Sequence, residues 1–231
     1  MVASIDIKGL RFSWRGRTSF SLAVPDLKVA AGEKLFLLGE SGTGKSTLLS
    51  LICGITTPSE GRLVLDGTNL PDLSASARDR FRAEHIGVIF QMFNLLPYAS
   101  PLENILLPLA FAPNRKARVA NQRAEALRLT SALGLNETLV TSAGTTELSI
   151  GQQQRVAAAR ALIGGPKLIV ADEPTSALDA TSQAAFVDLL MTQAEAAGAT
   201  LLMVSHDARL ANRFDRHLDL ADVAQATRGM A

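Results

Sequence analysis

The sequence predicts an α/β fold with an antiparallel β subdomain and an inserted helical subdomain, read as one domain over residues 1–231. Three observations carry this. A glycine-rich loop, Gly39 to Gly44, stands between a short apolar run and a helix-like stretch. Apolar runs at 168–171 and 200–204 flank a helical pattern from about 179 to 197. Between these two regions the middle third, about 92–165, reads as almost entirely helical.

Taken in order, Phe20, Leu22 and Val24 alternate with smaller residues, the pattern of a half-buried strand, and Pro25 is expected to end it. The apolar run from Lys34 to Leu38 suits a strand buried on both faces. A helix over 45–53 is expected to close at Gly54. Leu63 and Leu65 alternate before the Asp66-Gly67 turn, another antiparallel strand, and Ser74 can cap a helix reaching Glu84. A strand follows at 86–90. Ser100-Pro101-Leu102-Glu103 joins a capping box to a proline at the first helical position. Helices are then expected over 115–133, stopped by Gly134, and from Leu148 through 156–163. No further regulatory domain is expected in the 25 residues beyond His206.

Composition narrows the class. Of 231 residues, 47 % are hydrophobic and 19 % charged, which excludes intrinsic disorder. Lys plus Arg number 23 against 22 Asp plus Glu, so the chain lacks the basic excess of a dedicated duplex-binding protein, and no nucleic-acid partner is expected. The single cysteine, Cys53, forms no intrachain disulfide and suits a reducing compartment. No run of 18 apolar residues occurs, and the N-terminal segment does not have the pattern of a secretion signal. A soluble cytoplasmic protein is expected. A mean hydropathy of +0.18 hints at an apolar surface kept for a partner.

Gly39-Glu40-Ser41-Gly42-Thr43-Gly44-Lys45-Ser46 fits the phosphate-loop pattern G-x-x-x-x-G-K-[ST], and with it the core reads as a P-loop NTPase. Each element has a reason. Glycines let the backbone fold tightly, so that several N–H groups point inward at a phosphate chain. The helix that follows adds its positive N-terminal end. Lys45 is expected on the β- and γ-phosphates of ATP, and the Ser46 hydroxyl is a hard oxygen ligand for Mg2+. After four apolar residues come Asp172 and Glu173. Asp172 is expected to organise the Mg2+ shell and Glu173 to polarise the attacking water as general base.

Further motifs follow in a fixed order. Leu148-Ser149-Ile150-Gly151-Gln152 resembles the signature LSGGQ, and with the phosphate loop it makes the chain similar to the ATP-binding subunit of an ABC (ATP-binding cassette) transporter. The resemblance spans Trp14 to His206. It implies that Ser149 and the Gly151 amide reach the γ-phosphate held by a second copy of the chain, packed head to tail, with Gln152 in the same nucleotide-binding set. It implies that Gln91 touches Mg2+ and water, that Ser176-Ala177-Leu178-Asp179 lines the dimer interface, and that His206 contacts the γ-phosphate. It implies a nucleotide set extending to Thr47 and to Trp14 as the aromatic stacked on adenine. His85 and His217 match none of these positions. Ile150 stands where the family has glycine; were that position at positive φ, a β-branched residue would be strained by about 1–3 kcal/mol.

The stretch Met92-Phe93-Asn94-Leu95-Leu96-Pro97, with 104–109, is similar to ATPases that drive lipoprotein release and macrolide export. Phe93, Leu95 and Leu96 are expected to form an apolar groove for a short helix of an integral membrane permease. The chain would then sit peripherally on the inner face of the cell membrane. Soluble relatives in DNA repair or translation carry a coiled coil or a second cassette, absent here. A weakly active, nucleotide-gated interaction module is disfavoured by Glu173 and His206. A GTPase is not expected, because the guanine-reading motif Asn-Lys-x-Asp does not occur.

Overall fold

Two five-stranded sheets and a helical layer build the molecule, seen in a computed structural model that describes residues 3–14, 20–40 and 42–228. The antiparallel sheet has the order β10-β2-β1-β4-β5, from β1 (Ala3–Trp14), β2 (Phe20–Ala30), β4 (Glu60–Leu65), β5 (Thr68–Asn69) and β10 (Gln225–Arg228). The second sheet is parallel, in the order β6-β7-β8-β3-β9, from β3 (Lys34–Leu38), β6 (Ile86–Ile89), β7 (Leu168–Asp172), β8 (Thr200–Ser205) and β9 (Arg216–Asp219).

The parallel sheet separates two cores, and the alternation of its strands assigns side chains to each. Leu35, Leu37, Val170, Leu202 and Val204 face the antiparallel sheet and helix α1 (Lys45–Ile52). Phe36, Ile169, Ala171, Leu201 and Met203 face the helices. Strands covered on both sides read as unbroken apolar runs, which is why 34–38 lacks a polar alternation.

Helices fill 101–162: α3 (Pro101–Phe111), α4 (Pro113–Ala117), α5 (Gln122–Ala132), α6 (Glu137–Ser142) and α7 (Ile150–Leu162). Helix α2 (Ala75–His85) precedes β6, α8 (Ala180–Ala196) lies between β7 and β8, and the short α9 (Leu220–Val223) precedes β10. The caps act as their residue types require. The Ser74 hydroxyl accepts from the Ala77 amide, and the Ser100–Glu103 capping box closes in both directions.

Two expectations fail on backbone grounds. Pro25 does not end its strand. β2 runs on to Ala30, because β10 covers its outer side only from Phe20 to Ala23, so the missing N–H at Pro25 lies beyond the paired stretch. The helix expected over 115–133 is two helices, because Asn121 adopts an extended conformation and its side chain caps α5 by accepting from the Ala124 amide. α6 was not foreseen; its six residues are too few for a periodic signal.

Candidate active site

The phosphate loop connects the C-terminal end of β3 to α1. Gly42 and Gly44 lie at φ +83° and +99°, where only glycine is unstrained, and a Cβ on Gly44 would press on Leu22 and Phe20 at 3.0 and 3.1 Å. Ser41 lies outside the described residues. The Thr43 hydroxyl donates to Glu40 O at 2.8 Å, and the Gly39 amide donates to Ser205 O at 3.3 Å, tying the loop to the end of β8.

Lys45 opens α1 with its side chain turned back into the loop, and it is buried. Its ammonium donates to Gly39 O at 2.7 Å and Glu40 O at 3.1 Å, and pairs with Glu173 Oε1 at 2.7 Å. Glu173 Oε2 lies 2.6 Å from His206 Nδ1. The Ser46 hydroxyl donates to Asp172 Oδ2 at 2.9 Å. Residues from the ends of three adjacent strands, β3, β7 and β8, thus meet at one place, the edge where an α/β sheet presents its ligand site.

The two carboxylates differ. Burial, the largest influence, raises the pKa of Asp172, and the negative charge of Glu173 adds to it against the Ser46 hydrogen bond and Lys45. For Glu173 burial also pushes upward, but hydrogen bonds from Lys45 and His206, with their charges, outweigh it and leave the pKa below the usual value. Glu173 also sits at φ +44°, a conformation that costs a non-glycine residue about 1–3 kcal/mol. Its amide bonded to Val204 O at 2.9 Å and its doubly held carboxylate keep it there.

The remaining residues named from sequence fall in three places. Trp14 is 47 % exposed at the end of β1, meets Phe12 edge-on at 4.9 Å, and reaches Thr47 Oγ1 at 3.5 Å, so an indole face stands beside the first turn of α1. Gln91 is exposed two residues past β6. Ser149 caps α7: its hydroxyl accepts from the Gln152 amide at 3.3 Å, while Gln152 Oε1 accepts from the Ser149 amide at 2.8 Å. None of these bonds reaches the phosphate loop, so the structure does not join the signature to the Lys45 cluster within one chain. Gly151 lies beside Leu178, at 3.7 Å from an added Cβ. Asp179 caps α8 through the amides of Thr181 and Ser182.

Ile150 carries no strain. It is the first residue of α7, is not among the residues at positive φ, and leaves 54 % of its surface exposed. The expected groove is also built differently. Phe93 is buried in the helix-side core, with Leu95 packed against that core, whereas Met92 and Tyr98 are over 80 % exposed. A cleft of about 480 Å3 does open beside Asn94, and its apolar lining includes Ile55, Phe90, Leu107, Pro108 and Phe111.

Two contacts had no motif to announce them. Gln154, buried in α7, donates to Pro174 O at 2.7 Å, which links the signature helix to the residue after Glu173. Arg160, also buried, donates to the carbonyls of Phe93 and Asn94. The available signal was a polar residue interrupting the alanine-rich face of a helix. Burial pushes the Cys53 thiol up to about 12, so it is inert. His85 stacks on Phe81 at 4.3 Å away from the site.

Comparison with known proteins agrees with this geometry. The family model described as ABC transporter matches residues 22–176. The chain belongs to the ABC transporter family. It is 42 % identical over 197 residues to the lipoprotein-releasing system ATP-binding protein LolD of Shewanella denitrificans, covering 85 % of this chain and 82 % of that protein. It is equally identical to the uncharacterized ABC transporter ATP-binding protein YbbA of Escherichia coli, covering 85 % and 84 %. Among solved structures, the dimeric bacterial ABC transporter cassette MJ0796 superposes with a TM-score of 0.83 at 34 % identity, covering 98 % of this chain and all of that one. The same cassette in a post-hydrolysis dimer bound to ADP and Pi gives 0.80, covering 93 % of each. This chain is therefore an ABC-type ATP hydrolase that powers transport. Among the described residues no helix is long and apolar enough to cross a membrane.

Proposed function

We propose that this chain binds ATP with Mg2+ at the Lys45 cluster, completes the site with Ser149 of a second copy, and drives a permease of the lipoprotein-release or macrolide-export type. The observation that carries the reading is the convergence of Lys45, Ser46, Asp172, Glu173 and His206 at one sheet edge. The LolD relatives support the choice of permease type.

Lys45 and the loop amides hold the β- and γ-phosphates, with Trp14 stacked on adenine beside Thr47. Ser46, through its hydroxyl oxygen, Asp172, through water, and Gln91 are the residues that would hold Mg2+. Among the described residues no group of three or more His, Cys, Asp or Glu could hold a metal. That fits an ion which takes few protein oxygens and shares the phosphates. Bound Mg2+ neutralises charge on the phosphate oxygens. Glu173 takes the proton of the attacking water. Its carboxylate is held by Lys45, and when Lys45 turns to phosphate that bond is lost and the glutamate becomes a stronger base. His206 keeps the other oxygen in place.

The cleft lined by Ile55, Leu107 and Phe111 suits an amphipathic helix of the permease, at the inner face of the membrane. The test is Phe111→Glu. It should abolish stimulation of ATP hydrolysis by the reconstituted permease, with the rate of the isolated chain as control. Full stimulation would overturn this docking site.

A further inference from the structure

Helix α7 begins at the signature and ends against the loop that follows Gln91. Arg160, in its last turn, is 9 % exposed, and its hydrogen-bond partners are two consecutive carbonyl oxygens rather than a carboxylate. Nη1 donates to Asn94 O at 2.7 Å, and Nη2 donates to Phe93 O. Both acceptors belong to residues in the left-handed region, Phe93 at φ +58° and Asn94 at +49°. Two adjacent non-glycine residues in that region are disfavoured, and phenylalanine more so than asparagine. The Phe93 amide donates to Phe90 O at 2.9 Å and the Asn94 amide to Met92 O at 2.6 Å, so the bend is as tight as a backbone makes. Phe93 is anchored in the helix-side core, and Asn94 lines the cleft together with Arg160.

We infer that Arg160 is a positioning residue whose forked guanidinium holds the strained Phe93–Asn94 turn, fixing the loop that starts at Gln91 to the helix that starts after Ser149. Strain at non-glycine residues persists only where surroundings over-determine it, and here the turn's own backbone hydrogen bonds are joined by the fork of Arg160 on both carbonyls. An arginine suits the task because its planar fork reaches two carbonyls at once, whereas a lysine offers a single point charge. α7 spans about 20 Å, so it can link a change at the cleft wall to the signature at its other end. The inference rests on Gln91 acting at the nucleotide, and its test keeps the two apart.

The experiment uses the full chain with Arg160→Lys, Arg160→Gln, Asn94→Gly, the double variant Asn94→Gly/Arg160→Gln, and Gln91→Ala. Amide hydrogen exchange without nucleotide should quicken about fivefold or more over residues 91–98 in the arginine variants, more for Gln than for Lys. Exchange in β3 and β8 should keep its native rate. With MgATP, kcat should fall about tenfold in Arg160→Gln while KM changes less than about twofold, because the loop serves turnover more than binding. Glycine adopts the left-handed turn without help. Asn94→Gly should therefore recover at least about threefold of kcat in the Arg160→Gln background and change the native background by less than about twofold. Faster exchange throughout the chain, or unchanged exchange over 91–98 with unchanged kcat, overturns the inference. If Arg160→Gln fails to fold, Arg160→Lys decides through the same exchange and kcat measurements. A native kcat in Gln91→Ala would sink the role of Gln91, while the exchange pattern still decides the clamp.

Discussion

Lys45 and Glu173 form a 2.7 Å ion pair at the floor of the site, although one opens α1 and the other follows β7. The ammonium that the phosphate loop offers to ATP is thus held by the carboxylate assigned to activate water. On the proposed mechanism a γ-phosphate arriving at Lys45 would compete with Glu173, so that binding of substrate and release of the base would be one event, tying general-base strength to occupancy of the loop.

Glu173→Gln should therefore lower turnover by about 10²–10⁴-fold, the usual worth of a general base. ATP should bind at least as tightly as before, since a neutral amide competes less with phosphate for Lys45. Steady-state phosphate release and titration with a fluorescent ATP analogue check the two halves. A native rate of hydrolysis would remove Glu173 from the role of base.

Asp172 and Glu173 should pull the pH dependence of stability in opposite directions. The folded pKa of Asp172 is raised by burial, so its contribution is greatest below its unfolded value of 3.8 and is lost as pH rises through the folded value. Glu173 has a lowered folded pKa, so its contribution is present above 4.5 and is lost as pH falls through the folded value. Asp172→Asn keeps an acceptor for Ser46 and removes the buried charge. It should raise the melting temperature at pH 7, with an advantage that shrinks as acid neutralises the native aspartate. ATPase activity should fall about 10–100-fold through weakened hold on the metal's water. Thermal unfolding at pH 4 and pH 7 checks the sign; an advantage larger at pH 4 would contradict the assignment.

Ile150→Gly should leave ATPase activity within about twofold of native, the scale of a surface substitution. The isoleucine occupies the first helical position without strain and with half its surface exposed, so glycine relieves nothing there. A tenfold gain in activity would reveal strain. A tenfold loss would show that the side chain makes a contact of its own in the assembled site.

The clustering of the phosphate loop with Asp172, Glu173 and His206 was legible because these residues stand at or just past strand ends at 38, 172 and 205. The limits of the helices were less so. Asn121 divides a stretch whose apolar period runs on unbroken, and Pro25 is tolerated only because β10 stops short of it. Sequence pattern also marks residues as apolar without saying which way they face. Phe93 turns into the core because the backbone around it is left-handed, and the cleft is walled by Ile55 and by residues from α2, β6, α3 and α7 instead. The Lys45–Glu173 and Arg160–Phe93 contacts depend on side chains meeting across distant elements, which no local pattern encodes.

The last prediction concerns the dimer. Ser149 and Lys45 are both donors suited to one phosphate, yet the hydrogen bonds of Ser149 stay within the cap of α7. Two copies packed head to tail would place the signature of each against the phosphate loop of the other, an isologous interface with two equal sites. ATP then acts as the adhesive between surfaces that part once the γ-phosphate is gone. Lys45→Ala and Ser149→Arg should each be inactive alone. In a mixed dimer one site collects both lesions and the other joins two intact halves. Random pairing of an equal mixture should therefore restore about a quarter of all sites, by counting on a two-fold dimer. A requirement that both sites fire together would lower that signal, so the deciding measurement is physical. Glu173→Gln protein with saturating ATP should elute from a sizing column as a dimer and return to monomer when nucleotide is removed. A chain that remains monomeric at micromolar concentration, alone and with its permease, would rule out the composite site.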